Sequence, residues 1–120
     1  MDVESLRAYC LTRKGCTEGF PFDEYTLVFK VMGKMFALIP LENPISINLK
    51  CDPEYAVELR EKHPEEIRPG FHMNKKHWNT VMINGWLDHS LIMSLVDHSY
   101  ELVVAKLKKA DREELNAMEE

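Results

Sequence analysis

Three strand-like segments with very short connections occupy residues 26–50, and they constrain the fold more than any other feature of the chain. The segments "TLVFKVM" and "MFALIP" flank Gly33-Lys34, which can form a two-residue hairpin turn with glycine first. The next turn is "ENP", which leads directly into "ISINLK". Because such short connections join antiparallel neighbours, this region predicts an antiparallel sheet.

The third of these segments alternates cleanly between apolar and polar residues. Successive side chains of a strand point to opposite faces, so its apolar residues share one face and its polar residues share the other. We expect the apolar set to face the core and the polar set to face outward: Ile45, Ile47 and Leu49 inward, and Ser46, Asn48 and Lys50 outward.

Capping residues and glycine mark the first and last of three predicted helices. Asp2 can cap a helix that runs to about Lys14, where Gly15 stops it. Asp88 can cap a long helix that runs to about Lys109. This helix has an apolar stripe and carries basic residues at its C-terminal end, as the helix dipole favours.

The middle of the chain carries equally strong signals for the start and end of each element. Within "CDPEYAVELREKHP", Asp52 is the expected N-cap, Pro53 occupies the first helical position and Pro64 follows the end. The segments "GCTEGFPF" and "EEIRPGFHMNKK" are predicted to be loops. Between the second loop and the turn signal Asn84-Gly85, "HWNTVMI" is predicted to be the fourth strand.

The resulting order, α-β-β-β-α-β-α, predicts an α+β two-layer sandwich with the helices packed mainly on one face of an antiparallel sheet. A chain of 120 residues is one domain by size. The final segment "ADREELNAMEE" contributes −4 of the formal net charge of −5. We therefore assign residues 1–109 to the domain and residues 110–120 to an acidic C-terminal tail.

The expected location of the protein and the state of its cysteines follow from two features that the sequence lacks, a targeting or membrane-spanning segment and a pair of closely spaced cysteines. The N-terminus has no basic segment followed by an apolar one, and the apolar runs are far shorter than the roughly 20 residues that span a bilayer. Cys10, Cys16 and Cys51 form no C-x-x-C pair, which argues against a disulfide framework or a zinc ribbon. We expect a cytoplasmic protein without membrane association, and we take it to be monomeric.

A polar stretch between Glu66 and Asp88 contains no acidic residue, although the chain as a whole is acidic. Such a patch can hold a phosphate or a carboxylate, because lysine and arginine supply charge and asparagine supplies directional hydrogen bonds. Alternatively, its asparagine and histidine side chains satisfy loop backbone groups and its lysines are solvated. The candidate residues are Arg68, His72, Asn74, Lys75, Lys76, His77 and Asn79.

Strand alternation divides the end of this stretch between two faces of the sheet. His77 and Asn79 share one face, and Trp78 lies on the other. We expect Trp78 to pack under the helices, because a large ring gains most from burial. His77 and Asn79 would then point outward, next to the lysines of the loop.

Patterns for catalysis and for metal binding are weak. The five histidines are scattered and no carboxylate lies inside the polar stretch, so a zinc site would need remote ligands. The chain has no G-x-S-x-G motif, no cysteine close to a histidine in sequence and no glycine-rich phosphate loop. The sequence therefore predicts a protein that is not an enzyme and that uses no metal or cofactor.

The hairpin between the first two predicted strands exposes Lys30 and Lys34. Lysines at hairpin tips can contact a nucleic-acid backbone, and they are equally what an edge strand uses to avoid aggregation. Both interpretations fit the sequence, and we favour the second, in which the lysines protect an edge strand from aggregation.

Four blocks of the chain resemble the MmcQ/YjbR family of small bacterial proteins. They are "PFDEYTLVFKVMGKMFAL", "ISINLKCDPEYAVELRE", "RPGFHMNKKHWNTVMING" and "LVDHSYELVVAKL", and they follow the family's order. The resemblance implies a CyaY-like (frataxin-like) fold with a double-wing arrangement of hairpins, and it implies a DNA-binding role. Iron binding is not carried over, because the first helix offers only Asp2 and Glu4 as acidic groups.

Two functional hypotheses use the same patch. In the first, the chain is a DNA-binding module whose affinity is modest and falls steeply with salt, because few phosphates can be neutralised. In the second, the same groups hold a small anionic ligand or a protein partner. The phosphate contacts of the first hypothesis are Arg68, Lys75, Lys76 and His77, with Lys30 and Lys34 as wing contacts.

Overall fold

The computed structural model describes residues 1–83 and 85–118, and an antiparallel sheet forms its centre. Within these residues six strands lie in the order β1-β2-β3-β4-β6-β5. The strands are β1 (Cys16–Gly19), β2 (Thr26–Val31), β3 (Lys34–Pro40), β4 (Ser46–Lys50), β5 (Ile67–Pro69) and β6 (Trp78–Met82). The helices are α1 (Val3–Leu11), α2 (Pro53–Lys62), α3 (His89–Ala105) and α4 (Lys109–Ala117). The predicted α+β class is confirmed.

The helices pack against one face of the sheet. Buried side chains from each helix join a single apolar cluster with alternate residues of the strands, as expected for a two-layer sandwich. The helical members include Leu6, Leu59, Leu95 and Leu115, and the sheet members include Phe29, Ile39, Ile47, Leu49 and Val81. Ile47 and Leu49 thus face the core, as the alternation of "ISINLK" predicts.

The other face of the sheet, which we call the open face, carries a second and smaller apolar cluster. Val28 and Leu38 lie directly opposite each other in the β2–β3 pair, and both are buried with Trp78 of β6. Met35 and Met73 pack against these three residues. The sheet is therefore apolar on both sides at its centre, and this determines where the tryptophan lies.

The hairpin between β2 and β3 turns one residue earlier than predicted. Val31 pairs with Lys34, so the turn consists of Met32 and Gly33 and not of Gly33 and Lys34. Both turn residues have positive φ, 48° and 79°, which is the requirement of a type I′ turn. The sequence favoured the other placement because a methionine is strained at positive φ, whereas glycine is not.

Two edge strands were missed. The segment "GCTEGFPF" contains β1, which pairs with β2, and "EEIRPGFHMNKK" contains β5, which pairs with β6. Both strands are short and show no clean alternation, so their extended conformation depends on hydrogen bonds from a neighbour distant in sequence.

The predicted helices are present, with differences at their ends. The helix α1 ends at Leu11, and Asp2 forms a capping box with Ser5 at its start. The helix α2 matches the prediction, with the Asp52 side chain accepting a hydrogen bond from the Tyr55 amide. No helix in the described residues is long and apolar enough to cross a membrane.

The predicted C-terminal helix ends a few residues early, and a further helix follows it. The helix α3 ends at Ala105, and α4 forms within the segment that we described as an acidic tail. Asp88 occupies the N-cap position of α3 without a side-chain capping bond. The predicted Asn84-Gly85 turn involves Asn84, which lies outside the described residues, as do residues 119–120.

Candidate ligand-binding groove on the open sheet face

Asn79 and Trp78 lie on the faces opposite to those predicted. Asn79 pairs with Leu49 in the β4–β6 ladder and faces the helices, where it is 2% exposed. Trp78 faces the open side. The alternation was read correctly, but the side was wrong, because the open-face cluster buries the ring and helix α2 supplies a polar partner for the amide.

That polar partner is Arg60 of α2. Its Nε donates to Asn79 Oδ1 at 2.6 Å, and its Nη2 donates to the backbone oxygens of Lys75 and Trp78. The Asn79 amide nitrogen donates in turn to the carbonyl oxygen of Ala56, at 3.5 Å. Arg60 therefore fastens the loop before β6 to α2, and Asn79 is part of the protein's own hydrogen-bond network.

The loop between β5 and β6 also uses its polar side chains internally. Asn74 Oδ1 accepts a hydrogen bond from the Lys76 amide at 2.9 Å. Lys75 Nζ donates to the Gly70 carbonyl oxygen at 3.1 Å. Gly70 itself lies so close to Trp78 that an added Cβ would be 2.8 Å from the tryptophan Cβ. These groups shape the loop rather than stand free for a ligand.

The remaining sequence candidates divide between separate regions. Arg68 and His72 line the same groove on the open face, whereas Lys76 is exposed in the loop and His77 is half-buried beside it. Two further candidates lie on the β2–β3 hairpin. Lys30 lines a separate shallow cavity of about 340 Å³, and Lys34 is exposed at the start of β3.

The groove is a cavity of about 650 Å³ between two loops. The loop between β1 and β2 contributes Phe22 and Asp23 to one wall. The loop between β5 and β6 contributes Phe71, His72 and Met73 to the other wall. Cavities of this size, apolar with a few polar groups, are typical of small-molecule sites.

The floor of the groove is a row of side chains across three strands. Asn48 pairs with Thr80, and Thr80 pairs with Arg68, so these three side chains lie side by side on the open face. Leu38 continues the row into the apolar cluster, because it pairs with Asn48 from the other side. Apolar floor positions around this row are Met35, Pro40 and Met82.

Hydrogen bonds fix the orientation of the Asn48 amide. The Thr80 hydroxyl oxygen accepts from the Phe71 amide at 3.0 Å, and the hydroxyl donates to Asn48 Oδ1 at 2.5 Å. Asn48 Nδ2 is thereby directed into the groove, and it has no hydrogen-bond partner among the described residues. The residue is nevertheless only 6% exposed.

Ser46, two positions earlier on the same strand, is a second largely buried polar residue with a free donor in the groove. It is 9% exposed, lines the groove and has no hydrogen-bond partner for its hydroxyl in the part of the chain that the structure describes. Ser46 and Asn48 do face away from the helices, as the alternation predicts. They are buried in a groove, however, and not solvated on a flat surface.

The groove has an unequal distribution of charge. Arg68 makes no hydrogen bond or ion pair with any described residue, so its guanidinium is available to a ligand. Asp23 is already occupied, since its carboxylate accepts from the Tyr25 and Thr26 amides at 2.8 and 2.6 Å. These hydrogen bonds hold the pKa of Asp23 below its usual value. Glu42 adds a second carboxylate to the lining.

Aromatic rings stand at both walls of the groove. Phe22 and Phe71 are largely exposed, although they are large apolar side chains. The Phe71 ring lies 4.0 Å from the His72 ring between centroids. His72 has a φ of 61°, in the left-handed region that non-glycine residues seldom adopt, and such backbone strain clusters at functional sites.

The described residues include neither an activated thiol nor a cluster of side chains that could bind a metal ion. Burial raises the pKa of the Cys10 thiol to about 12, and it raises those of Cys16 and Cys51 to about 11. These thiols are therefore protonated at neutral pH and poor nucleophiles. Within residues 1–83 and 85–118, no three His, Cys, Asp or Glu side chains come together as a metal site requires.

The fold and the groove define a small α+β domain with one helical face and one open, grooved sheet face. The chain belongs to the YjbR family, whose model matches residues 11–102. It is 36% identical over 113 residues to the Escherichia coli K12 protein YjbR, covering 93% of this chain and 95% of that relative. It is 39% identical over 94 residues to YbdF of Escherichia coli O157:H7, covering 78% and 76% of the two chains.

Solved structures show the same fold. The crystal structure of Deinococcus radiodurans DR2400, a DUF419 domain, superposes with a TM-score of 0.89 at 45% identity, covering 95% of this chain and 87% of that one. A Pseudomonas syringae protein superposes with a TM-score of 0.71 at 27% identity, covering 85% and 98%. The curated relatives are uncharacterized proteins, so their names specify no activity.

Sequence reasoning missed the residues that make the groove. Ser46 and Asn48 looked like ordinary solvent-facing positions, and Thr80 was passed over as part of a strand. Alternation placed Ser46 and Asn48 on the face away from the helices, but it carries no signal for whether that face is flat or grooved.

Proposed function

We propose that the open-face groove binds a small molecule that carries an anionic group. The observation that supports this most directly is the pair Ser46 and Asn48, two largely buried residues whose free donor atoms open into the groove without a partner among the described residues. Arg68, which makes no hydrogen bond or ion pair with a described residue, lines the same groove. Donors that the fold already holds in position in a concave, mostly apolar cavity can bind an acceptor group at little ordering cost, so two such donors in one cavity favour a ligand that carries one.

The chemistry of the floor favours binding and not catalysis. The Asn48 amide and the Arg68 guanidinium are hydrogen-bond donors, and neither is a general base or a nucleophile at neutral pH. The walls are mostly apolar, with His72 in one of them and, in the other, Asp23, whose carboxylate already accepts hydrogen bonds from two backbone amides. We therefore propose a binding protein without catalytic activity, in which these donors orient the ligand and the walls bury it.

Arg68 tests this proposal cleanly because it is exposed and makes no hydrogen bond or ion pair with a described residue. We expect a thermal-shift screen of small carboxylates and phosphates to find compounds that raise the melting temperature of the wild-type protein. The Arg68→Gln variant should lose most of this stabilisation while folding normally. The matched control is Lys76→Gln, which removes one positive charge outside the groove and should leave the stabilisation unchanged.

Two results would contradict small-ligand binding. One is a broad screen in which no anion stabilises the wild-type chain. The other is a stabilisation that survives Arg68→Gln, because the anion would then be bound elsewhere. Equal losses in Arg68→Gln and Lys76→Gln would indicate general charge attraction instead of a site.

DNA binding is the second candidate, and one observation favours it. Lys30 and Arg68 lie on the same open face, and Lys34 is exposed at the adjacent turn, which fits the double-wing role that the family resemblance implies. A formal net charge of −5 and the small number of exposed cations predict weak, strongly salt-dependent binding.

A mobility-shift titration separates the two candidates. DNA binding predicts retardation at low salt that weakens in the double variant Lys30→Gln/Lys34→Gln. Groove binding predicts that this double variant keeps its full response to the small anion. No retardation at low salt would remove the DNA hypothesis and leave the groove hypothesis intact.

A further inference from the structure

The lining of the open-face groove restricts the charge of its ligand. It contains one arginine, Arg68, and two carboxylates, those of Asp23 and Glu42, together with the imidazole of His72. A phosphate ester carries close to two negative charges at neutral pH and would face both carboxylates with one arginine to balance it. A ligand with a single negative charge is therefore favoured over a phosphate or a nucleotide.

The unpartnered donors match the two oxygens of a carboxylate. Ser46 and Asn48 are alternate residues of β4, so their side chains emerge about 7 Å apart on the same face. A carboxylate placed between them can accept one hydrogen bond from the serine hydroxyl and one from the asparagine Nδ2. Arg68 lies in the same cross-strand row as Asn48 and can supply the charge-assisted hydrogen bond that strengthens the contact.

The rest of the groove is suited to a flat apolar body. Phe22 and Phe71 present exposed rings from opposite walls, where they can stack on or meet the edge of another aromatic ring. Methionine sulfur makes favourable contacts with aromatic rings and adapts to their shape, and Met35, Met73 and Met82 all line the groove. A cavity of about 650 Å³ accommodates one or two fused rings.

We infer that the open-face groove binds an aromatic monocarboxylate, with the carboxylate held by Ser46, Asn48 and Arg68 and the ring held between Phe22, Phe71 and the methionines. This inference rests on the proposed small-ligand function and specifies its chemical class. The neutral and the doubly charged forms of the same molecule are the discriminating comparisons.

The experiment compares four probes by isothermal titration calorimetry on the full chain. They are 2-naphthoate, the neutral 2-naphthamide, 2-naphthyl phosphate, and octanoate as an aliphatic acid. We expect 2-naphthoate to bind at least about tenfold more tightly than each of the other three, which corresponds to about 1.4 kcal/mol. NMR spectra should show the Asn48 side-chain amide resonances shifting with 2-naphthoate.

Two variants connect the binding to the floor. Asn48→Asp keeps an oxygen acceptor for the Thr80 hydroxyl but replaces the free donor with a negative charge, so it should abolish naphthoate binding. Ser46→Ala removes the second donor and should weaken binding by about three- to tenfold. The exposed Arg68→Gln variant keeps the test valid if Asn48→Asp fails to fold, and Lys76→Gln serves as the charge-matched control.

Each outcome decides a different question. Tighter binding of 2-naphthyl phosphate that still depends on Arg68 would overturn the carboxylate assignment and leave the proposed groove function standing. Octanoate binding as tightly as 2-naphthoate would overturn the aromatic assignment alone. No binding of any acid, with no response of the Asn48 resonances, would remove the inference, and the wider anion screen would then decide the proposed function.

Discussion

The side-chain amide of Asn48 serves two purposes at once. Its oxygen completes a hydrogen-bond chain from the Phe71 amide through the Thr80 hydroxyl, which ties the loop wall to the sheet floor. Its nitrogen is left directed into the groove. Arg60 is the contrasting case, since its guanidinium is already bonded to Asn79 and to two backbone oxygens. Of these two polar groups, Asn48 is the one with capacity for a ligand.

Trp78 gives a stability prediction at the residue scale. Because its ring is 9% exposed and packs with Val28 and Leu38, Trp78→Ala should lower the free energy of unfolding by about 3–5 kcal/mol. Urea denaturation followed by circular dichroism measures this. The matched control is Trp86→Ala, because Trp86 is 85% exposed and its loss should change stability by less than about 0.5 kcal/mol. Similar effects from both variants would contradict the open-face cluster.

The sequence revealed part of the candidate site, and the physical reason for the division is clear. Arg68 and His72 could be found because they lie in a stretch without acidic residues. Ser46 and Asn48 could not, because alternation shows which residues share a face but not whether that face is flat or grooved. The groove exists because two loops distant in sequence both contribute residues to its lining.

At the scale of elements, the loop between β1 and β2, which forms one wall of the groove, depends on Asp23 for its conformation. Its carboxylate accepts hydrogen bonds from two consecutive backbone amides and from the Thr26 hydroxyl. These bonds close the loop onto the first residue of β2 and hold Phe22 at the mouth of the groove. They favour the ionised carboxylate, and the pKa of Asp23 is lowered accordingly.

This lowered pKa predicts an acid dependence of stability. A carboxyl group with a lower pKa in the folded state stabilises the fold above its unfolded pKa of about 3.9, and the contribution is lost as pH falls through the folded value. Asp23→Asn keeps an oxygen acceptor but cannot titrate, so its stability should fall less than that of the wild type between pH about 6 and about 2. Urea titrations at both pH values measure the difference.

The control for Asp23→Asn is Glu65→Gln, because Glu65 is exposed and makes no hydrogen bond or ion pair with a described residue. It removes one carboxylate without touching the loop. If Glu65→Gln and Asp23→Asn show the same acid dependence, net charge and not the Asp23 loop governs the effect, and the prediction fails.

Elements with strong local signals were predictable, and those that depend on distant partners were not. The helix α2 was located by Asp52, Pro53 and Pro64, which act through local geometry. By contrast β1 and β5 are extended because β2 and β6 pair with them. The helix α4 was hidden for a similar reason: its sequence is mostly charged, and one apolar residue attaches it to the domain.

Leu115 is that residue, and it gives a prediction for α4. Its side chain is buried in the main cluster and packs directly against Gly15, because a Cβ added to that glycine would lie only 2.5 Å from the Leu115 Cδ1. Leu115→Ala should therefore lower the free energy of unfolding by about 2–4 kcal/mol, measured by urea denaturation. Leu41→Ala is the matched control, since Leu41 is 41% exposed and lies outside the main cluster. An unchanged stability in Leu115→Ala would show that α4 is not part of the folded domain.

At the scale of the whole molecule, one sheet supports two unequal apolar layers. The main cluster contains residues of the four helices and of the sheet, whereas the open-face cluster consists of Val28, Leu38 and Trp78 with two methionines beside them. The strands β2, β3 and β6 contribute to both layers. A strand cannot leave one layer without disrupting the other, so the two layers should be stable or unstable together.

This coupling predicts a single cooperative unfolding transition seen from both faces. The chain contains two tryptophans, so Trp86→Phe leaves Trp78 as the fluorescent reporter of the open-face cluster. Far-UV circular dichroism reports the helices on the other face. Since β2, β3 and β6 are shared, both signals should give the same urea midpoint and the same slope. A Trp78 transition at lower urea would mean that the open-face cluster can unfold while the helical layer stays folded. The residues of the groove would then need a ligand to hold them in place.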